Sequence, residues 1–277
     1  MGKKSCAERR LVVVEDKVER ELATVVPWLA DDIEASSSPS SSDVMTFARA
    51  LPDSDLTTSE HFDKDVYLDG IIPKPWGHEY RVYADLLYDV WKLSIDPGER
   101  TSTHCHPRKE TALLCLSGRG RIQRLSRQHE VSTGDMVLLR KGVFHATENI
   151  GDTPLELIEV ETPRNKLDLV RVRDKYGRQG QGYETRTIDG PIASMTSVLH
   201  TPAGKLRSLS LHHAYQLEVV SSSELAGHDD DVLFAVSLSL RQAFAHEIRV
   251  VSGRASLSRI QSEPAEPYLV IRRRARL

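Results

Sequence analysis

Four side chains between residues 98 and 149 have the types and the spacing of a binding site for one metal ion. They are His104, His106, Glu110 and His145. His104 and His106 are two residues apart, so on a β-strand both imidazoles point to the same face. Neutral imidazoles together with one carboxylate suit a divalent transition metal such as Zn, Fe, Mn, Ni or Co. The pattern therefore predicts one such ion, bound by these four side chains.

The sequence around the first three candidates resembles the first motif of the cupin superfamily. That motif places a glycine, an H-x-H pair, a glutamate and a second glycine in this order. It is matched here by Gly98, His104, His106, Glu110 and Gly118. The segment between the glutamate and the second glycine is one residue longer than in the family pattern.

The sequence around His145 resembles the second cupin motif. Gly134, Gly142, His145 and Asn149 match it, and Arg140 replaces the family's proline. Upstream, Lys74-Pro75-Trp76-Gly77 resembles the element that leads into the barrel of type II mannose-6-phosphate isomerase-like proteins. The resemblance covers about residues 70–165. It implies a double-stranded antiparallel β-barrel, or jelly roll, with the metal inside.

The longer spacing leaves two candidates for the fourth ligand. Counting back from Gly118 by the family spacing reaches Thr111, not Glu110, and a slip of one residue reverses the face of a strand on which a side chain lies. A β-bulge can absorb one residue. We therefore expect Glu110 to be the ligand, with Thr111 as the alternative.

The resemblance implies a metal-dependent enzyme acting on a small polar substrate, such as an isomerase or epimerase of a sugar or sugar phosphate. This reaction needs a polarised carbonyl, which a metal supplies, and a base that moves a proton. Glu110 is the candidate base. Lys92, in a predicted strand between Trp91 and Leu93, is the candidate for binding an anion or a sugar oxygen. A mononuclear non-haem iron oxygenase or metal-dependent lyase, and a non-catalytic sugar- or effector-binding cupin, remain as alternatives.

The composition argues against nucleic acid or a membrane as the partner, and the resemblance implies a small-molecule substrate instead. The 277-residue chain has a formal net charge of −3 and a pI near 6.4, which does not favour binding to nucleic acid. Mean hydropathy is −0.37, and no apolar run approaches the roughly 18 residues of a membrane span. Three cysteines, Cys6, Cys105 and Cys115, form no disulfide pattern. We therefore expect a cytoplasmic protein, with both Cys105 and Cys115 packed in the barrel.

The strand pattern predicts a mainly all-β fold. Short β-like segments punctuated by Gly, Pro and Asp, with no helical pattern between them, favour a barrel over a parallel sheet. The predicted strands are Glu79–Ala84, Tyr88–Ile95, Thr111–Leu116, Arg119–Leu125, Met136–Leu139 and Leu155–Glu161.

We expect four segments along the chain. They are an N-terminal helical extension with a Ser-rich linker (1–65), the metal-binding cupin barrel (66–165), a connector (166–189) and a degenerate cupin-like β domain (190–277). Apolar residues at steps of three and four over 8–34 predict the helix. A weak repeat, Ser117-Gly118-Arg119 and Ser252-Gly253-Arg254, suggests the second barrel. This second barrel has no H-x-H pair, so we expect it to be metal-free and to cover the first barrel or join a homodimer interface.

Overall fold

The computed structural model describes residues 36–53, 71–85, 87–165, 168–181, 183, 209–211, 215–224, 232–245, 247–252 and 266–273. The chain divides into two compact units, residues 1–37 and 38–277. Only strand β1 (Ser36–Ser37) is described in the first unit. The helix predicted over residues 8–34 therefore lies outside the described residues.

The described part of the second unit consists mainly of antiparallel strands. Its helical elements are α1 (Ser41–Ala50), the 3-10 turn Leu51–Asp53 and α2 (Leu240–Ala245). None of these has the length or the apolar content that a membrane crossing requires. The strands, in chain order, are β2 (Ile72–Lys74), β3 (Gly77–Ala84), β4 (Asp89–Ile95), β5 (Thr103–Cys105), β6 (Glu110–Ser117), β7 (Arg119–Arg124), β8 (Gln128–Ser132), β9 (Met136–Leu139), β10 (His145–Asn149), β11 (Leu155–Thr162), β12 (Val170–Arg173), β13 (Leu209–Leu211), β14 (Tyr215–Ser221), β15 (Val232–Ser237), β16 (Val250–Ser252) and β17 (Pro267–Arg273).

Two sheets face each other and form a barrel. Within the second unit, the strands of the first sheet follow the order β9-β6-β11-β4-β3-β2, and those of the second sheet follow β12-β5-β10-β7-β8. The core between them combines Trp91 and Leu157 of the first sheet with Ile122 and Val131 of the second. This confirms the mainly all-β jelly-roll fold. The six predicted strands are also confirmed, each to within two residues at either end.

The first sheet is buried on both faces. Strands β4 and β11 are buried along their whole length. Because side chains alternate along a strand, Leu157 joins the core of the barrel while Ile158 and Val160 pack on the opposite side. Such strands read as nearly continuous apolar runs, since neither face is solvated.

A third sheet, in the order β13-β14-β17-β15-β16, covers the outer face of the first. Leu114 and Val160 of the barrel share one apolar cluster with Leu217, Phe234 and Ile271 of the third sheet. This is the covering role expected of the C-terminal region. Closure into a second barrel stays an expectation, because much of residues 190–277 lies outside the described residues.

The Ser-rich segment contributes to a helix and not only to a linker. Ser40 is the N-cap of α1, and its side chain and that of Asp43 form a reciprocal capping box. Asp43 also accepts a hydrogen bond of 2.8 Å from the backbone N–H of Phe144, directly before β10. The capping chemistry of serine thus corrects the expectation that the Ser-rich run is only a linker.

The segment expected to be a connector, 166–189, contains a barrel strand. Strand β12 pairs with β5, with Val170 opposite Cys105 and Arg171 opposite His104. The second sheet therefore extends beyond residue 165. Strand β12 is its edge strand and lies next to β5, which carries His104.

The apolar seam between the first and third sheets predicts a large loss of stability in Phe234→Ala. This ring is fully buried in the shared cluster, so its removal leaves a cavity and should lower the free energy of unfolding by about 3–5 kcal/mol. Phe244→Ala is the matched control, since the Phe244 ring on α2 is 75% exposed, and should change it by about 0.5 kcal/mol or less. Urea unfolding of the full chain measures both. Equal, small effects would contradict the described packing.

Candidate metal centre

Three of the four predicted ligands converge inside the barrel. His104 on β5 is paired with His145 on β10, and His106 directly follows β5. The ring centroids are 4.5 Å apart for His104 and His145, 5.0 Å for His104 and His106, and 5.7 Å for His106 and His145. One nitrogen of each ring lies within 4.8 Å of the other two. Three imidazoles this close together would hold one divalent transition-metal ion.

Backbone carbonyls fix the orientation of all three imidazoles. The Nδ1 atoms lie 2.8 Å from the Ser102 carbonyl for His104, 2.7 Å from the Asp168 carbonyl for His106 and 3.1 Å from the Val143 carbonyl for His145. A carbonyl oxygen only accepts hydrogen bonds, so Nδ1 carries the proton in each ring. The Nε2 lone pair is then available to a metal, which is the arrangement that outer hydrogen bonds impose on ligand histidines.

Burial keeps two of these rings neutral. It lowers the pKa of His104 well below its usual value, and the nearby His145 and His106 lower it further. Burial also lowers the pKa of His145. At both rings the Glu159 carboxylate opposes the shift. The neutral form, which is the one that binds metal, therefore predominates at neutral pH.

Glu110, the predicted fourth ligand and base, lies on the other face of its strand. Its carboxylate accepts hydrogen bonds of 2.8 Å from the Arg140 guanidinium and 2.8 Å from the backbone N–H of Ile248. Strand β6 has an irregularity in its pairing with β11, between Ser117 and Cys115. That irregularity is at the far end of the strand, so it does not turn Glu110 inward. The expectation that a bulge would do so is corrected.

Thr111 takes the inward position, and two carboxylates on β11 lie beside it. Glu159 pairs with Leu113, and Glu161 pairs with Thr111. Oxygen atoms of both glutamates lie within 4.8 Å of a ring nitrogen of His106. Neither glutamate was among the residues predicted for the site. Two glutamates spaced two apart in a predicted buried strand were the available signal, because they must share one face.

Lys92 also faces away from the histidines. Its ammonium group pairs with the Glu156 carboxylate, which also accepts a hydrogen bond of 2.7 Å from Ser94. Lys92 is paired across the sheet with Tyr80 and Ile158, which belong to the cluster under the third sheet. Alternation from Trp91 and Leu93, which face the barrel core, places it there. Its predicted role at the substrate is therefore corrected.

Cys105 lies between the two histidines in sequence but faces away from them. It packs with Phe144 and Val170, and burial raises its pKa. Burial likewise raises the pKa of Cys115 to about 12. Both thiols are thus packed and protonated, in agreement with the sequence analysis.

A cavity adjoins the histidine cluster. Its enclosed part has a volume of about 50 Å³, and it opens to solvent. The Lys74 ammonium lies 3.6 Å from the Glu79 carboxylate, which also accepts a hydrogen bond from the Tyr183 hydroxyl. The charged and phenolic side chains that line the cavity are Lys74, Glu79, Glu159, Arg171, Arg178 and Tyr183. None of these side chains was predicted to belong to the site, although Lys74 is part of the Lys74-Pro75-Trp76-Gly77 element.

Part of the chain is similar in sequence to known proteins. Residues 91–161 match the family model described as Cupin domain. Mannose-1-phosphate guanylyltransferase ManC of Salmonella typhimurium is 28% identical over 120 residues, which is 43% of this chain and 24% of that protein. A mannose-1-phosphate guanylyltransferase of Salmonella montevideo is 31% identical over 107 residues, 38% of this chain and 23% of that protein. The chain thus spans about a quarter of the length of these curated relatives.

Two solved structures resemble part of the chain. A sugar phosphate isomerase from a cupin superfamily, from Silicibacter pomeroyi, shares 18% identity over 36% of this chain and 63% of its own, with a TM-score of 0.30. The capsular polysaccharide assembling protein CapF from Staphylococcus aureus shares 22% identity over 38% of this chain and 34% of its own, with a TM-score of 0.35.

The lowered histidine pKa values predict a pH-dependent stability in the absence of metal. In the unfolded chain His104 and His145 bind protons near pH 6.5, whereas in the folded chain they do so only at lower pH. Stability should therefore be retained above pH 6.5 and fall as the pH drops below it, by up to about 1.4 kcal/mol per pH unit for each histidine. Urea unfolding between pH 5 and 7.5 with a chelator measures the slope.

Two matched variants test whether the histidine cluster causes the pH dependence of the free energy of unfolding. His104→Gln should flatten it, while His129→Gln, on β8 and outside the cluster, should leave it as in the wild type. Identical slopes for His104→Gln and the wild type would remove His104 as a source.

Proposed function

The chain carries a cupin domain, and on this premise we propose that it is a metal-dependent isomerase or epimerase of a sugar or sugar phosphate. The observation that carries the proposal is the convergence of three imidazoles, each fixed through Nδ1 by a backbone carbonyl, on a cavity lined by acidic and basic side chains. Imidazole nitrogens in this number and orientation fit a divalent transition metal.

His104, His106 and His145 hold the metal through Nε2 in this proposal. When bound, the ion acts as a Lewis acid that polarises a carbonyl or hydroxyl oxygen of the substrate. The rest of the chemistry falls to side chains of the cavity.

We assign proton transfer to Glu79 and Tyr183. The Glu79 carboxylate lines the cavity, is 4% exposed and is hydrogen bonded by the Tyr183 hydroxyl. Moving a proton between adjacent carbons requires a group that accepts it and a nearby group that can donate. A carboxylate beside a phenol meets both requirements. The role first expected of Glu110 thus passes to Glu79.

Basic side chains of the cavity suit an anionic substrate. Lys74, Arg171 and Arg178 all contribute to its lining, and such cations bind phosphate through charge-assisted hydrogen bonds. The guanidinium of Arg171 is oriented by a 3.1 Å bond to the Ser102 hydroxyl, beside the backbone that holds His104. The names of the Salmonella relatives, which refer to mannose 1-phosphate, favour a sugar phosphate.

The first prediction of this proposal is one metal equivalent per chain. Elemental analysis of protein purified without chelator should find about one transition-metal ion. The double variant His104→Ala/His106→Ala should lose it, because two of the three imidazoles are gone. His129→Ala is the control and should retain the ion. Metal that persists in the double variant would place the site elsewhere.

A second prediction separates proton transfer from metal binding. In D2O, the metal-loaded protein should exchange a carbon-bound proton of a hexose phosphate, as followed by NMR. Glu79→Gln should lower kcat by about 100- to 10,000-fold while the metal content stays at one equivalent. Glu130→Gln, whose side chain is 58% exposed on β8, is the matched control and should be fully active.

Two other measurements would point to the alternative functions. Oxygen consumption by the Fe(II) protein would favour an oxygenase. Saturable binding of a sugar phosphate with no turnover across a panel of hexose and pentose phosphates would favour a non-catalytic binding protein.

A further inference from the structure

The position of the family's glutamate ligand holds a threonine side chain in this barrel. Thr111 is 1% exposed and faces inward, with its neighbour on the same face, Leu113, in the lining of the cavity. Glu110 is engaged on the outer side by Arg140 and by the backbone of Ile248. Strand β6 therefore supplies no carboxylate to the histidine cluster.

The adjacent strand brings carboxylates to the same place. Glu159 and Glu161 on β11 lie across the ladder from Leu113 and Thr111. Each offers an oxygen within 4.8 Å of a ring nitrogen of His106, and the two oxygens lie within the same distance of each other. The strand next to β6 in the first sheet thus offers carboxylates close to His106.

The contacts of the two glutamates distinguish them. Glu161 forms an ion pair of 2.5 Å with Lys109, and both side chains are fully buried, so one of its oxygens is already committed to a cation. Glu159 lies in the lining of the cavity together with all three histidines, and Glu161 does not. Of the two carboxylates, Glu159 is therefore the one placed to complete a shared site.

The surroundings of Glu159 favour a cation in front of it. Its partners across the ladder, Trp91 and Leu113, are apolar, and the side chain is only 6% exposed. In such apolar surroundings a carboxylate attracts a nearby divalent ion strongly, because the local dielectric constant is low. An ion held by His106 would lie beside this carboxylate.

We propose that Glu159 is the fourth protein ligand of the metal centre, in place of the carboxylate that β6 provides in the cupin pattern. The inference rests on the proposed function, because it presupposes that the three histidines bind a metal. It assigns to this chain a ligand set of His104, His106, His145 and Glu159, drawn from three strands and the residue after β5. Glu161 then acts as the partner of Lys109 beside the site.

The test compares three isosteric variants in metal binding to the full chain. Glu159→Gln, Glu161→Gln and Glu110→Gln each remove one carboxylate charge while keeping the shape of the side chain. Co(II) is titrated into each chelator-treated protein, with affinity from calorimetry and coordination from the visible d–d absorption. Glu159→Gln should bind Co(II) more than about tenfold more weakly and with a shifted spectrum. Glu110→Gln and Glu161→Gln should keep the wild-type spectrum and one equivalent.

The outcomes separate this inference from the proposed function. If the wild type binds no Co(II), or if His104→Ala/His106→Ala binds it as the wild type does, the metal centre itself fails. If the histidines are required but Glu159→Gln binds and absorbs as the wild type does, only the fourth ligand is wrong. A loss confined to Glu161→Gln or Glu110→Gln would overturn the assignment in the same way.

A conservative variant covers the case in which Glu159→Gln does not fold. Glu159→Asp keeps the charge but withdraws the carboxylate by one methylene, so it should fold, bind Co(II) more weakly than the wild type and show an altered spectrum. Unchanged affinity and spectrum in Glu159→Asp would overturn the proposal.

Discussion

Side-chain alternation in a sheet that is covered on both faces controls the chemistry of this barrel. Residues of β4, β6 and β11 face either the barrel interior or the third sheet, because successive side chains of a strand point to opposite faces. Neither face offers solvent, so a charged side chain on these strands needs a polar partner on its own side. Glu110 and Lys92 have their polar partners on the face toward the third sheet, whereas Glu159 and Glu161 lie on the inner face with the histidines. The pairing register of these strands therefore decides which carboxylates can act on a ligand in the cavity.

The polar contacts on the outer side specify how the third sheet docks. Glu110 accepts from Arg140 and from the backbone of Ile248, and the Tyr215 hydroxyl donates to the carbonyl of Leu116. Buried polar contacts of this kind add little net stability but disfavour other alignments, since a shifted partner would leave them unsatisfied. The apolar cluster supplies the stability. The alignment of β6, and with it the inner face, is therefore tied to the C-terminal sheet.

The strands and the three histidines can be predicted from the sequence because their signals are local. The strands are marked by Gly and Pro punctuation, and His104 and His106 share a face by spacing alone. The face of Glu110 depends on a single residue in the count to Gly118, which either a bulge or a regular strand accommodates. Only the pairing of β6 with its neighbours, unbroken from Thr111 to Leu114, decides it. Sequence spacing within one motif also cannot show that a neighbouring strand, far along the chain, brings its own carboxylates to the site.

The charges inside the barrel indicate why a cation among the histidines suits this chain. Lys109 is paired with Glu161, and Arg81 lies 3.9 Å from Asp89, so these buried charges offset one another in pairs. Glu159 lies beside His106, and all three imidazoles carry their protons on Nδ1, which leaves the Nε2 lone pairs for other partners. A lone pair and a carboxylate oxygen at close range repel each other unless a positive charge lies between them. A divalent ion at that point turns the repulsion into attraction, and it does so without disturbing the carbonyls that hold the rings.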